Sequence, residues 1–321
     1  MKNIFKILRS IYHKLLFCLQ NYLFKKITNS RNAWTIFDKS NIPGFGTNLL
    51  RTYFPIYATE NVKQSFSNEL IATLENVINN KKHLEYDTQV IDEIYQLLKL
   101  SKNEKDCLMP YLDNHFFGVF DAAILGTLMK IHQPSQIIEI GSGISTRYMH
   151  LFKEKFNLPT KIICVDPFPR VEIEQVADQI YNLPLELAIK ENTIQLAPGD
   201  FLFMDGSHYV FQGNDTLTFF FNLLPSLPAG VIIHIHDIYL PYDYDSNVSQ
   251  QLWGEQYILA AMLMNGLKNM EILYPAYYVS CNNQKIRETL QDVSVRLSEK
   301  KITQRKSHHQ GYSFWIKKNE Y

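Results

Sequence analysis

Apolar residues change their spacing along this chain, and the changes mark its elements. Ile4, Ile7, Leu8, Ile11, Leu15, Leu19 and Leu23 recur at helical intervals, so residues 3–26 are expected to form an amphipathic helix. Residues 38–60 contain Pro43-Gly44-Phe45-Gly46 and Pro55 and read as an irregular connection. Helical spacing returns over 62–101, through Leu70, Leu74 and Val77 and later Val90, Ile91, Ile94, Leu97 and Leu98. Residues 119–132 form a further expected helix, with Ala122, Leu125, Leu128 and Met129 on one face.

From Gln136 short apolar runs alternate with amphipathic stretches. Strands are expected at 136–140, 161–165, 201–204, 231–236, 270–274 and 312–317. Helices are expected at 145–157, 172–180, 214–224 and 251–265. Alternating strand and helix predicts an α/β fold, a doubly wound and mostly parallel sheet with helices on both faces. The expected organisation is a basic amphipathic N-terminal helix over 1–37, a helical preface over 38–109, and the α/β domain over 110–321.

Charge changes this picture in one place. The chain balances 32 basic against 32 acidic residues, which argues against a polycation for nucleic acid. Yet Lys2, Lys6, Arg9, Lys14, Lys25, Lys26 and Arg31 precede the first acid, Asp38. The basic helix over 3–26 is therefore expected either to lie peripherally on an anionic membrane surface or to dock on the body of the protein. Lys14 interrupts its apolar stretch and no small-residue cleavage site follows, against a signal peptide. No apolar run reaches the roughly 20 residues of a membrane span. Cys18, Cys107, Cys164 and Cys281 form no C-x-x-C pair, so a disulfide scaffold or zinc ribbon is not expected. A reducing, cytoplasmic setting fits, with the inner membrane surface as the place of any peripheral contact. Homo-oligomerisation is left open.

Four motifs fall at strand ends, where ligands bind in doubly wound sheets. In Glu139-Ile140-Gly141-Ser142-Gly143 a strand runs into Gly-x-Gly, whose glycines allow a tight turn and close ligand approach. Glu139 is expected to organise a bound ammonium group. Asp166 ends the second strand, 25 residues beyond Gly141, where a carboxylate suits a ribose diol; its alternative is a helix cap. Asp205-Gly206-Ser207-His208 and His236-Asp237 end two further strands. Asp205, His236 and Asp237 are expected to converge as ligands of a divalent ion, with His208 beside them as a general base. His234, deeper in its strand, reads as a core residue.

Together these residues resemble class I S-adenosylmethionine-dependent methyltransferases. Asp205-Gly206-Ser207-His208 with His236-Asp237 resembles the subgroup that includes the macrolide sugar O-methyltransferases, from which this chain departs in carrying His236 where those enzymes have an acid. The resemblance spans about residues 110–280 and the last strand. It implies a Rossmann-like sheet, S-adenosylmethionine held by Glu139, Gly141, Ser142, Gly143, Asp166 and Asp205, and Mg²⁺ or another divalent cation. It implies methylation of a small-molecule or glycosidic hydroxyl, with His208 as catalytic base. The segment 111–120 and the loop 239–245 would wall the acceptor pocket, the loop as a lid. Two rival functions are an NAD-dependent oxidoreductase and a membrane-associated binding protein on a degenerate methyltransferase fold. Thr146, standing where a dinucleotide fingerprint wants its third glycine, counts against the first.

Overall fold

The structure is a computed structural model and describes residues 34–37, 49–52, 67–79, 108–111, 114, 116–169, 171–245, 248, 251–265, 269–299 and 310–320. The basic helix expected over 3–26 and the apolar positions 90–98 lie outside the described residues. The chain divides into two compact units, Met1–Val62 with Ser246–Gln251, and Lys63–Asp245 with Leu252–Tyr321.

In the first unit, β1 (Trp34–Phe37) pairs antiparallel with β2 (Leu49–Thr52), Trp34 opposite Thr52. This corrects the expectation of an irregular connection throughout 38–60. The run Leu49-Leu50-Arg51-Thr52 is too short to show a period between the prolines.

The second unit begins with α1 (Asn68–Asn79), which buries Leu70 and Leu74, and α2 (Val119–His132). Five parallel strands follow: β3 (Gln136–Ile140), β4 (Lys161–Val165), β5 (Gln179–Tyr181), β6 (Phe201–Met204) and β7 (Ile232–Ile235). β8 (Met270–Pro275) and β9 (Phe314–Lys318) complete the sheet in the order β5-β4-β3-β6-β7-β9-β8. β9 runs antiparallel to both its neighbours. This is the expected doubly wound, Rossmann-like sheet, and its order reverses between β3 and β6.

Both faces are covered, so the strands are apolar on both sides. Ile137, Ile162, Cys164, Phe201, Phe203 and Trp315 join one core with residues of α2 and α3 (Ile144–Lys155). Ile138, Ile163, Leu202, Met204, Ile233 and Ile316 join the other with α1 and α6 (Glu255–Met264). α4 (Leu185–Lys190) and α5 (Asp215–Thr218) lie between, and α7 (Ala276–Asn282) and α8 (Gln284–Glu299) precede β9.

Two expected helices are corrected. Residues 172–180 make a single turn, in which Val176 and Ala177 both donate to the Ile173 carbonyl. Asp178 then ends it: its carboxylate accepts the Ile162 N–H at 2.7 Å, and Ile180 and Tyr181 enter β5. The helix expected over 214–224 starts as α5, capped by Asn214, but widens into a π-turn at Phe219–Leu223 ahead of Pro225, which has no N–H to give a regular ladder.

Candidate active site

At the carboxyl ends of β3, β4 and β6 lies a cleft of about 530 Å³. Its floor is the loop after β3. Gly141 has φ +78°, and a Cβ there would stand 1.9 Å from the Asp205 carbonyl oxygen. Only glycine fits, because the backbones leaving β3 and β6 touch at this point. Gly143 is extended, and a Cβ there would meet nothing within 4 Å. It borders open cleft instead, the arrangement expected of a cradle whose filling is a ligand.

Asp166 lines the cleft and braces that floor: one carboxylate oxygen accepts the Ser142 N–H at 2.7 Å, the other the Phe168 N–H at 2.7 Å. Each oxygen keeps a second lone pair for an incoming hydroxyl. Turn capping and ribose binding, set against each other in the sequence, are thus compatible.

Glu139 stands differently from expectation. It is fully buried, does not line the cleft, and accepts the hydroxyls of Ser145 and Thr146 on the first turn of α3. Thr146 Oγ1 also accepts the Gly143 N–H at 3.0 Å. Glu139 therefore shapes the glycine loop from behind rather than meeting a ligand's ammonium. Burial, partly offset by the two hydroxyls, pushes its pKa up to about 8.

Asp205, in the cleft lining, belongs to an ionic cluster. Asp205 follows β6 and Asp237 follows β7, the latter with φ +57°. The buried imidazole of His208, also left-handed at φ +64°, points Nε2 between them, 3.5 Å from Asp205 Oδ1 and 3.4 Å from Asp237 Oδ2. Its Nδ1 bonds Glu255 at the start of α6. His236 is arranged likewise from the opposite side. Its Nδ1 lies 3.6 Å from Asp205 Oδ1 and 3.7 Å from Asp237 Oδ1, and its Nε2 lies 3.7 Å from Asp121 Oδ2. Asp121 in turn accepts the N–H groups of Tyr312 at 2.9 Å and Ser313 at 2.8 Å, tying α2 to the approach of β9.

Ligand atoms of Asp205, His208 and Asp237 all lie within 4.8 Å of one another. Two carboxylates and an imidazole suit a hard or borderline divalent cation. The structure thus brings Asp205 and Asp237 together as expected, but the third member of the tightest group is His208, not His236.

Burial disfavours charge on both imidazoles, yet the carboxylates outweigh it. Glu255, Asp237 and Asp205 raise His208 to about 9, and Asp237 and Asp205, with Asp121, raise His236 well above its usual value. His208 is thus more basic than the value near 6.5 expected for an ordinary histidine. His234 bears out the core reading: it is fully buried, lies 2.8 Å from the Ser313 hydroxyl and stacks on Phe203, and burial lowers its pKa.

Aromatic residues close the cleft. Phe116 and Phe117 line it, and so do Phe168, Tyr209 and Phe211. The loop 239–245, expected as a lid, is packed against its neighbours at several positions. Tyr239, Leu240 and Tyr244 are buried, Tyr239 stacks near Tyr277 and Tyr312, and its N–H donates to Gln256 Oε1 at 3.0 Å.

Sequence reasoning missed Asp121, Asp215 and Glu255. Asp215 accepts the Ser207 N–H at 2.7 Å and so holds the Asp205–His208 loop. Its signal was available, since Asn214-Asp215 opens a helix. Glu255 and Asp121 sit 47 and 115 positions from their histidines, and no local pattern links them.

No curated protein sequence matches the chain. Among solved structures, the SAH-bound Podospora anserina methyltransferase PaMTH1 is 12% identical with a TM-score of 0.40, covering 81% of this chain and 100% of its own. A putative methyltransferase from Thermobifida fusca is 14% identical with a TM-score of 0.37, covering 73% and 94%. The O-methyltransferase from Bacillus cereus in complex with SAH is 16% identical with a TM-score of 0.33, covering 63% and 88%. The segment that holds all four strand-end motifs, residues 138–238, matches the family model described as a methyltransferase domain.

Proposed function

We propose that this protein is an S-adenosylmethionine-dependent methyltransferase that methylates a hydroxyl group of a small-molecule or glycosidic acceptor. The observation that carries the reading is one cleft that joins two unlike features. A glycine floor braced by Asp166 forms part of its lining, and Asp205, also in the lining, belongs to an ionisable cluster with the buried His208 and Asp237.

The sulfonium donor brings a methyl group already activated for transfer, so the protein's task is to position it and to remove a proton. Gly141, Ser142 and Gly143 form the floor for the donor's amino-acid end. Asp166 accepts hydrogen bonds from its ribose diol, and Phe116 and Phe117 exclude water. With the carboxylates alone left to hold a cation, His208 Nε2 stays free of it and takes the hydroxyl proton as the new oxygen–carbon bond forms and the sulfur–carbon bond breaks. Asp205 and Asp237 would hold a divalent cation, which would supply positive charge to orient the hydroxyl, lower its pKa and offset the carboxylates that raise His208.

Calorimetry with S-adenosylhomocysteine and with NAD tests the donor. Binding of the first, weakened strongly by Asp166→Ala, is expected; binding of NAD alone overturns the reading in favour of an oxidoreductase. Transfer of labelled methyl from S-adenosylmethionine to a panel of phenols, sugars and glycosides tests the acceptor, and binding without transfer to any of them favours a degenerate binding protein.

A further inference from the structure

Glu255 has no assigned role, yet it is fully buried in the first turn of α6, and an unpaired carboxylate there costs several kcal/mol. Its partner is His208 Nδ1. A second tether joins the same two segments, since the Gly254 N–H donates to the His208 carbonyl at 2.8 Å. The His208 ring also lies against Trp253, centroids 4.4 Å apart. Ring, backbone and carboxylate are thus all held from the start of α6.

The consequence is directional. An imidazole has two distinct nitrogens, and the one that carries the hydrogen bond decides what the other presents. With Nδ1 bonded to Glu255, a flip of the ring would break a buried bond. Nε2 therefore stays 3.5 and 3.4 Å from Asp205 and Asp237, beside the one acid of the pair that lines the cleft.

We propose that Glu255 is the positioning residue of this site, fixing His208 through Nδ1 so that Nε2 faces the reacting hydroxyl. The proposal rests on the methyltransferase reading for its catalytic consequence and on geometry alone for the bond itself, so the two are tested separately.

Proton NMR of the full chain reads the bond without substrate. A histidine ring N–H resonance far downfield of the amides is expected. It should vanish in Glu255→Gln and in His208→Asn, and persist in Asp121→Asn, which removes the partner of the other imidazole. Absence of this resonance from the wild type, or its survival in Glu255→Gln, overturns the proposal. If Glu255→Gln does not fold, loss in His208→Asn with persistence in Asp121→Asn still decides the assignment.

Methyl transfer to an acceptor found in the panel then reads the consequence. Glu255→Gln should lower kcat roughly 10²-fold, the lower end of what losing a general base costs. KM for S-adenosylmethionine should stay unchanged, and Glu255→Asp should recover part of kcat. An unchanged kcat with the resonance lost overturns the positioning role. If no acceptor in the panel is methylated, it is the functional reading that fails, and the resonance alone decides whether Glu255 holds the ring.

Discussion

Two glycines separated by one serine should fail in opposite ways when each is given a methyl group. In Gly141→Ala the new Cβ would lie 1.9 Å from the Asp205 carbonyl oxygen, at φ +78°. The left-handed conformation costs about 1–2 kcal/mol and the overpacking about 1–3 kcal/mol more, so a loss of about 2–5 kcal/mol in folding stability is expected. In Gly143→Ala the Cβ meets nothing within 4 Å and the backbone is extended, so the fold should change by no more than about 0.5 kcal/mol. The methyl would instead enter the space claimed for the donor. Displacing a fitted ligand by one methyl costs about 1–3 kcal/mol, or roughly five- to 150-fold in affinity. Urea denaturation and calorimetry with S-adenosylhomocysteine read both quantities. The reasoning is refuted if Gly143→Ala binds like the wild type, or if Gly141→Ala unfolds at the wild-type midpoint.

Other outcomes follow from the same geometry. His208→Ala should slow methyl transfer by roughly 10²–10⁴-fold while leaving S-adenosylhomocysteine affinity intact; a parallel loss of affinity would deny it the role of base. Mn²⁺ should bind in calorimetry and fail to bind Asp237→Asn, and EDTA should depress transfer; activity indifferent to EDTA would leave the cluster without a metal. Glu139 keeps its proton to about pH 8 in the fold but only to 4.5 when unfolded, so the folded state binds more protons in that window. Stability should therefore fall as pH rises from 4.5 to about 8, by up to about 1.4 kcal/mol per pH unit, and Glu139→Gln should remove this slope in urea melts; equal slopes in the two proteins would count against it. A chain starting at Asn32 should lose co-sedimentation with anionic vesicles at low salt, since each basic residue near such a surface adds about 1 kcal/mol; equal sedimentation of both chains would end the membrane proposal.

How much was legible follows from how far each signal reaches along the chain. β3, β4, β6 and α2 lie residue for residue where their apolar patterns predict them. The strands are buried on both faces, so a short, mainly apolar run flanked by Gly, Asp or Pro is enough. The segment 172–180 shows the opposite case. Ile173 and Val176 are buried at helical spacing, but Asp178 is claimed by the backbone of β4, and that bond comes from tertiary structure. The acids at the strand ends were visible because the chain must leave a parallel strand at the cleft. What their side chains face was not. Glu139 turned inward to the two hydroxyls that follow the loop, and the partners of His208 and His236 come from helices far away in sequence.

The close approach at Gly141 bears on how the site works as a unit. Asp205 N–H donates to the Ile140 carbonyl at 2.9 Å, and the Gly141 N–H donates to Val165 at 3.1 Å, so the ends of β3, β4 and β6 are bonded in series. Asp166 then closes the series by accepting from Ser142. The donor floor and the first acid of the ionic cluster are therefore parts of one backbone network, with no side chain between them to absorb a displacement. In the proposed reading, the seat of the methyl donor and the position of Asp205 beside His208 are set by the same few peptide units. That is the economy a reaction needs when it depends on alignment more than on covalent help from the protein.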